Sequence, residues 1–335
     1  MNNMKILWQP VKNGVRILKI YGTHPTITVP DHIKGCPVTE IGPYCFSASR
    51  REIPGEIYTF FTRSEQDAGL FALEGNIVEE IVLPDTINTL HNAAFYNCRK
   101  LHTLSTGASI SGIGSDEFTN CTKLTHLIFR CQHPSAPGLS LILERIETDL
   151  NVLFAANTRE NPSAADDTKN PEISGALFFP EYYEWLDEIS PAHLFSRSIH
   201  GEGFRMRKSF QGHNIDYYKY DSCFENALTI ESESVLCRIA LNRLRWPNNL
   251  EEAFRHRYEK TVNTYFDTAL SLIIKEQDYD MLLFLFTAFH PDSSAFTQAI
   301  SQTIDADWGK ATAALMEMTQ KIHSTAKKSF DFDDF

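Results

Sequence analysis

Two stretches of this chain superpose without a gap at an offset of 23 residues. Ile81, Ile87, Leu90, Phe95, Asn97, Cys98, Lys100 and Leu101 recur as Leu104, Ile110, Ile113, Phe118, Asn120, Cys121, Lys123 and Leu124. A repeat this short is one supersecondary unit that cannot cover its own apolar face, so it has to stack on copies of itself. The pattern runs further in both directions. Phe46, Phe71, Phe95 and Phe118 stand 25, 24 and 23 residues apart, and Leu127 continues the series from Ile81 and Leu104. Stacking of the units predicts that these phenylalanines form a single interior column. Leu150 to Phe154 reads as a further strand and Gly175 to Pro180 as the last, giving four clear repeats and two or three degenerate ones.

Each unit opens on a strand with apolar residues in the pattern L-x-x-L-x-L, as in Val78 to Leu83 and Leu101 to Thr106. A turn and an arm carrying the phenylalanine follow. Side chains alternate along a strand, so Glu80 and Val82, Thr103 and Ser105, and His126 and Ile128 point outward. A row of outward residues on stacked strands is a natural binding face, and these six are the candidate partner contacts. The Asn-Cys step suits a chain corner, where the amide satisfies backbone groups and the thiol packs inside. Cys98 and Cys121 are therefore expected in the core.

The segment from Ile27 to Phe46 resembles the repeat unit of BspA-type leucine-rich-repeat proteins. Phe95 to Leu101 and Phe118 to Leu124 are similar to that family's F-x-N-C-x-x-L step, and Leu177 to Tyr183 to the strand and proline that close such arrays. The resemblance spans residues 20–185 in outline. It implies a right-handed solenoid used for binding, often on cell surfaces or between microbe and host. Residues 50–70 depart from the pattern with a polar stretch. Residues 157–172, rich in Asn, Thr, Asp, Ala and Pro, read as a long loop.

After Glu188 the apolar period changes from 2 to 3.6. Residues 190–222 are poor in regular signals and are expected to connect. Helices are predicted near 223–230, 232–245, 249–276, 278–290, 293–303 and 307–324, with Pro247 and Pro291 as stops. The 249–276 span reads as one long helix or as two broken near Lys260. In 232–245, Leu236, Ile239, Ala240 and Leu244 make one buried stripe. A weaker repeat at offset 30 aligns Phe266, Ala269, Leu270, Ile274 and Leu285 with Phe296, Ala299, Ile300, Ile304 and Leu315. Phe224 with Ala227 and Leu228 shows the same opening. A small helical solenoid or bundle follows, vaguely ankyrin-like but without the ankyrin T-P-L-H step. The expected fold class is α+β, a leucine-rich-repeat solenoid with a short-stranded sheet before an all-α domain. The expected divisions are 1–188 for the solenoid, 189–222 for the connection, 223–325 for the helical domain and 326–335 for an acidic-aromatic tail.

A formal charge of −12 argues against nucleic acid as the main partner, since phosphate binding needs concentrated Lys and Arg. No run of about 20 apolar residues exists to span a membrane. Gln9, Pro10, Lys12 and Asn13 end the first apolar run before secretory-signal length. Seven scattered cysteines fit a reduced compartment. The expected location is the cytoplasm.

Chemistry-bearing motifs are sparse. The string from His200 to Lys208 places Arg205, Arg207 and Lys208 beside glycines, so it could cradle a phosphate, but it lacks phosphate-loop spacing. A solvated connecting loop is the simpler reading. Cys121, Cys131 and His133 lack the paired spacing of a structural zinc site. The G-x-S-x-G and H-E-x-x-H motifs are missing. In the tail, Phe330, Phe332 and Phe335 alternate with aspartates and could form a docking peptide. These signals point to a non-enzymatic, bacterial-type scaffold that needs no cofactor and binds a protein partner through its sheet. The alternatives are an exported or surface-displayed adhesion protein, and a nucleotide-binding or hydrolytic protein using the 200–208 loop.

Overall fold

A computed structural model describes residues 3–49, 51–63, 69–156, 172–189 and 194–329. The chain divides into two compact units, Met1–Ile230 and Glu231–Phe335. In chain order the first unit opens with β1 (Lys5–Val11), β2 (Gly14–Gly22), β3 (Thr26–Thr28), β4 (His32–Ile33) and β5 (Cys36–Ile41). Next come β6 (Tyr58–Phe61), β7 (Phe71–Ala72), β8 (Glu80–Val82), β9 (Thr89–Leu90), β10 (Thr103–Gly107), β11 (Gly112–Ile113) and β12 (His126–Arg130). It closes with α1 (Leu139–Leu143), β13 (Leu150–Ala155), β14 (Ile173–Phe179), the hairpin β15 (Tyr183–Ile189) and β16 (Leu194–His200), and α2 (Gly203–Met206). The short pair β17 (Phe210–Gln211) and β18 (Asn214–Ile215) leads into α3 (Tyr217–Ile230).

The repeat is a coil with two strands per turn, each building its own parallel ladder. In the first, β3, β8, β10, β12 and β13 pair side by side in parallel, and β14 closes the edge antiparallel. Register puts Ile27, Ile81, Leu104, Leu127, Val152 and Leu177 in one line across six strands, all fully buried. The 23-residue offset is thus the length of chain that returns to the same interior column. In the second ladder β5, β9 and β11 pair in parallel, lining Ile41 with Leu90 and Ile113. The flank adds β2 parallel to β5, β1 antiparallel to β2, and β6 antiparallel to β1.

The arms carry the phenylalanines. Phe46, Phe95 and Phe118 stack nearly parallel, with ring centroids 5.3 and 5.2 Å apart. Phe71 does not join them: it is 43% exposed and lies in β7, paired with Gly22. Phe46 instead meets Phe95 directly across 49 residues of chain. The intervening excursion is close to one repeat long, and β6 and β7 leave the coil to pair with β1 and β2. Its length mimics the spacing of a repeat without its geometry.

The Asn-Cys step has a clear cause. Asn97 and Asn120 both have φ of 63°, a left-handed conformation that Asn tolerates better than other side chains. Asn120 Nδ2 donates to Asn97 Oδ1 at 2.8 Å, tying coil to coil. The next residue turns inward, where Cys98 Sγ donates to the Phe46 carbonyl at 3.2 Å and Cys121 Sγ to that of Phe95 at 3.1 Å. Both cysteines are core residues.

Two devices close the end of the sheet. Helix α3 sends the Tyr220 hydroxyl to the Phe178 carbonyl at 2.5 Å and its ring edge-on to Phe179. Arg207, 2% exposed, donates to the carbonyls of Ile146, Thr148, Pro180 and Gly203. The stretch 189–222, expected to connect, thus contains β16, α2, the β17–β18 pair and the buried Arg207, while β15 lies before it. Helix α3 begins at Tyr217, before the predicted 223, and falls in the first unit.

The second unit contains α4 (Glu233–Arg245), α5 (Glu252–Thr264), α6 (Phe266–Glu276), α7 (Tyr279–Phe289), α8 (Ser293–Asp305) and α9 (Gly309–Ser329). Ser232, Asp278 and Asp292 accept from backbone N–H groups at the starts of α4, α7 and α8. The predicted stripe of Leu236, Ile239, Ala240 and Leu244 is buried. Successive helices pack as pairs, α4 with α5, α6 with α7 and α8 with α9, while the leading helices α4, α6 and α8 contact in series. Ala269 and Ala299, and Leu285 and Leu315, are fully buried equivalents at offset 30. Ile304 breaks the pattern at 57% exposed. The span from 249 to 276 is two helices that part at Tyr265, not near Lys260. Tyr265 adopts φ −114° and ψ 38°, and its carbonyl accepts from Cys237 Sγ at 3.7 Å.

Candidate functional site

Pairing of the first ladder arranges its outward residues in columns. Thr26, Glu80, Thr103, His126 and Asn151 form one, and Thr28, Val82, Ser105, Ile128 and Leu153 the next. Neighbours in a column are about 4.8 Å apart, the spacing between strands. Of the six residues expected on this face, Glu80, Val82, Thr103, His126 and Ile128 are half-buried, with part of each side chain reaching solvent. The face mixes one carboxylate, an imidazole, a hydroxyl and two branched aliphatics. Local bonds hold its polar groups: His102 Nδ1 lies 3.0 Å from Thr103 Oγ1, and His126 Nδ1 lies 2.9 Å from Thr125 Oγ1.

Ser105 stands apart. It is only 5% exposed because Arg130, from the same face of β12, lies across it. The Arg130 guanidinium donates to Ser105 Oγ, to the Leu83 carbonyl and, through Nε, to Asp85 Oδ1 at 2.6 Å. Ser105 is therefore a support for Arg130 and no contact surface of its own. Asp85 is 45 residues from Arg130 in the chain, so no local pattern pairs them. The available signal was Gly107, which pairs in register with Arg130 and where a Cβ would meet Asp85 at 2.7 Å.

A second polar group, also missed from sequence, borders the other ladder. Glu40 Oε2 lies 2.7 Å from both Arg16 Nε and His91 Nε2. Burial pushes the Glu40 carboxyl up, but hydrogen bonds from His91 and Arg16, and their charge, outweigh burial and hold it below its ordinary value.

The string from His200 to Lys208 does not converge on a common point. His200 is exposed and stacks on Tyr183 at 4.8 Å. Arg205 is exposed, 3.7 Å from Glu202, and Lys208 pairs with Glu144 at 2.7 Å. Arg207 points inward, its donors taken by four carbonyls, and burial pulls its guanidinium down to about 10. It has no geometry for a phosphate. Cys131 is buried and His133 packs on Phe154 and Tyr217. Burial raises the Cys121 and Cys131 thiols to about 12. Among the described residues no three His, Cys, Asp or Glu side chains group to hold a metal, and no helix is long and apolar enough to cross a membrane. Phe330, Phe332 and Phe335 lie outside the described residues.

Two parallel ladders, an interior aliphatic line and a phenylalanine stack define the class: the first unit is a leucine-rich-repeat solenoid. Residues 26–135 match the BspA type leucine rich repeat region in six copies. A crystal structure of the T. pallidum leucine-rich-repeat protein matches 36% of this chain and 67% of its own, at 15% identity and a TM-score of 0.22. No curated protein matches the chain.

Proposed function

We propose that the protein is a non-enzymatic interaction scaffold that binds a protein partner through the outward face of its first ladder. The observation that supports this most is the register itself. Five parallel strands hold Glu80, Thr103 and His126 in one column and Val82 and Ile128 in the next, with side chains reaching solvent. A rigid strip of mixed polar and aliphatic groups suits a protein surface better than a small substrate, because it offers area without enclosure. Arg130 adds a guanidinium pre-oriented by Asp85, the kind of group that anchors protein contacts.

The test is affinity capture from the native cell with the whole chain and two variants. Ile128→Arg places bulk and charge in the middle of the face, and Thr122→Arg does the same on an exposed arm. Loss of about tenfold or more of a captured protein with Ile128→Arg, and none with Thr122→Arg, supports the reading. Equal capture by all three overturns it. Within this proposal the chain acts in the cytoplasm, and fractionation that finds it outside the cell would favour a surface-adhesion role.

A further inference from the structure

The flank that interrupts the repeat builds a pocket. It lies against the outer side of β1 and β2 and has a volume of about 320 Å³, at the small end of the range for ligand pockets, about 300–1,000 Å³. We propose that this pocket is a binding site for an apolar carboxylate, a ligand with an aliphatic or aromatic body ending in a carboxylate.

Its floor comes from an irregularity in β2. Pairing runs Leu7 with Lys19 and then Trp8 with Ile17, so Leu18 is an extra residue with no partner on β1. Such a bulge re-aims the side chain it leaves out, and Leu18 joins Leu7 in lining the pocket. Gly42 makes room for it: a Cβ there would meet Leu18 Cδ2 at 3.2 Å and the Ile17 carbonyl at 2.8 Å. The walls are Tyr21 from β2, Tyr44 from the following turn, and Arg51 and Ile53 from the start of the excursion that displaces Phe71. Tyr44 takes a left-handed φ of 56°. Ala93 and Asp116 hold the same conformation in the next coils, so the turn belongs to the repeat and only the aromatic ring is particular to the flank.

Charge selects the ligand. Lys19 and Glu74, both on the lining, neutralise each other, and Lys19 also donates to the Ser47 carbonyl at 2.7 Å. That leaves one surplus positive charge, on Arg51. Its guanidinium stacks over the Tyr44 ring at 5.0 Å and makes no ion pair among the described residues. The Tyr21 and Tyr44 hydroxyls likewise have no hydrogen-bond partner among the described residues, and Lys5 Nζ lies 5.5 Å over the Tyr21 ring. On a chain with a formal charge of −12, a pocket whose uncommitted polar groups are a guanidinium, two phenols and the Ser49 hydroxyl, all able to donate, is matched to an anion. Its apolar wall of Leu7, Ile53 and the two tyrosine rings would stay wet around a bare inorganic anion, so the ligand carries an apolar body.

The test uses the full chain and titration calorimetry, and it needs no protein partner, so it stands apart from the reading of the sheet face. The probes are 3-phenylpropanoate and its amide, and the acetylated dipeptide Ala-Phe with a free or an amidated end. Both acids are expected to bind, and each amide about tenfold more weakly or worse. Arg51→Gln is expected to cost the acids about tenfold and to leave the amides unchanged. Ile53→Glu, on the half-exposed wall, is expected to weaken the acids by repulsion. The tighter of the two acids tells whether a free metabolite-sized acid or a chain terminus is the better fit. Equal binding of acid and amide, no effect of Arg51→Gln, or no binding of any probe overturns the proposal.

Discussion

In the coils from Leu73 to Ala155, a residue and its equivalent one turn later touch: Ile81 with Leu104, Leu104 with Leu127, Phe95 with Phe118, Asn97 with Asn120. In the flanking segments, residues 3–22 and 51–72, the same chain breaks step. Leu18 bulges out of β2, Phe71 stays at the surface and Arg51 stands without an ion pair among the described residues. The difference shows where each region spends its side chains. A regular coil commits nearly every apolar and amide group to its neighbours, leaving one outward strip for partners. An irregular flank leaves groups uncommitted, and uncommitted groups can receive a ligand.

Several substitutions would break or sharpen that contrast. Phe95→Ala removes the middle ring of the stack and should cost about 4 kcal/mol of unfolding free energy. Phe71→Ala should stay within about 0.5 kcal/mol, and urea melts of the two variants give the comparison directly. Near-equal losses would put Phe71 back in the core. Arg207→Met keeps the volume of a buried side chain but orphans the carbonyls of Ile146, Thr148 and Pro180, at about 3 kcal/mol. Arg205→Ala, two residues away and exposed, should move the midpoint by less than about 0.5 kcal/mol.

Smaller effects probe the corners and the polar border. Asn120→Ala loses the amide ladder and forces alanine into left-handed backbone, for about 1–2 kcal/mol. Asn120→Gly should cost less, because only the amide bond is lost. If the two variants melted alike, φ would not be the reason for the asparagine. Glu40 has a folded pKa below its unfolded value. Its stabilisation is therefore fully present above the ordinary carboxylate pKa of 4.5 and is lost as pH falls through the lowered value. Glu40→Gln should be less stable than the parent at pH 7 by at most about 1 kcal/mol. The gap should close as the pH is lowered below 4.5, and thermal melts across that range would show it.

Much of this fold could be read in advance because stacked repeats turn sequence distance into spatial contact. The 23-residue offset named the interior line and the thiols that bond to Phe46 and Phe95 before any coordinates. The helices of the second unit were equally legible from their 3.6-residue apolar period and from the stops at Pro247 and Pro291, since both signals are local. What escaped is long-range or disguised. The excursion around Phe71 has nearly the length of a repeat, so spacing alone counted it as one. Ser105 is covered by an arginine that belongs to another coil and pairs with a third. The α5–α6 junction at Tyr265 carries no Gly or Pro to announce it. Arg207 looked like a solvated charge because its carbonyl partners are 4, 27, 59 and 61 residues away.

A double-mutant cycle on the phenylalanines tests the stacked-coil account at its centre. Unfolding free energies would be measured for Phe95→Leu, Phe118→Leu and Phe71→Leu, singly and in pairs with Phe95. Stacked rings at 5.2 Å should couple Phe95 to Phe118 by about 0.5–1.5 kcal/mol, while Phe95 and Phe71 should be additive within about 0.5 kcal/mol. Additivity between Phe95 and Phe118, or equal coupling to Phe71, would contradict it.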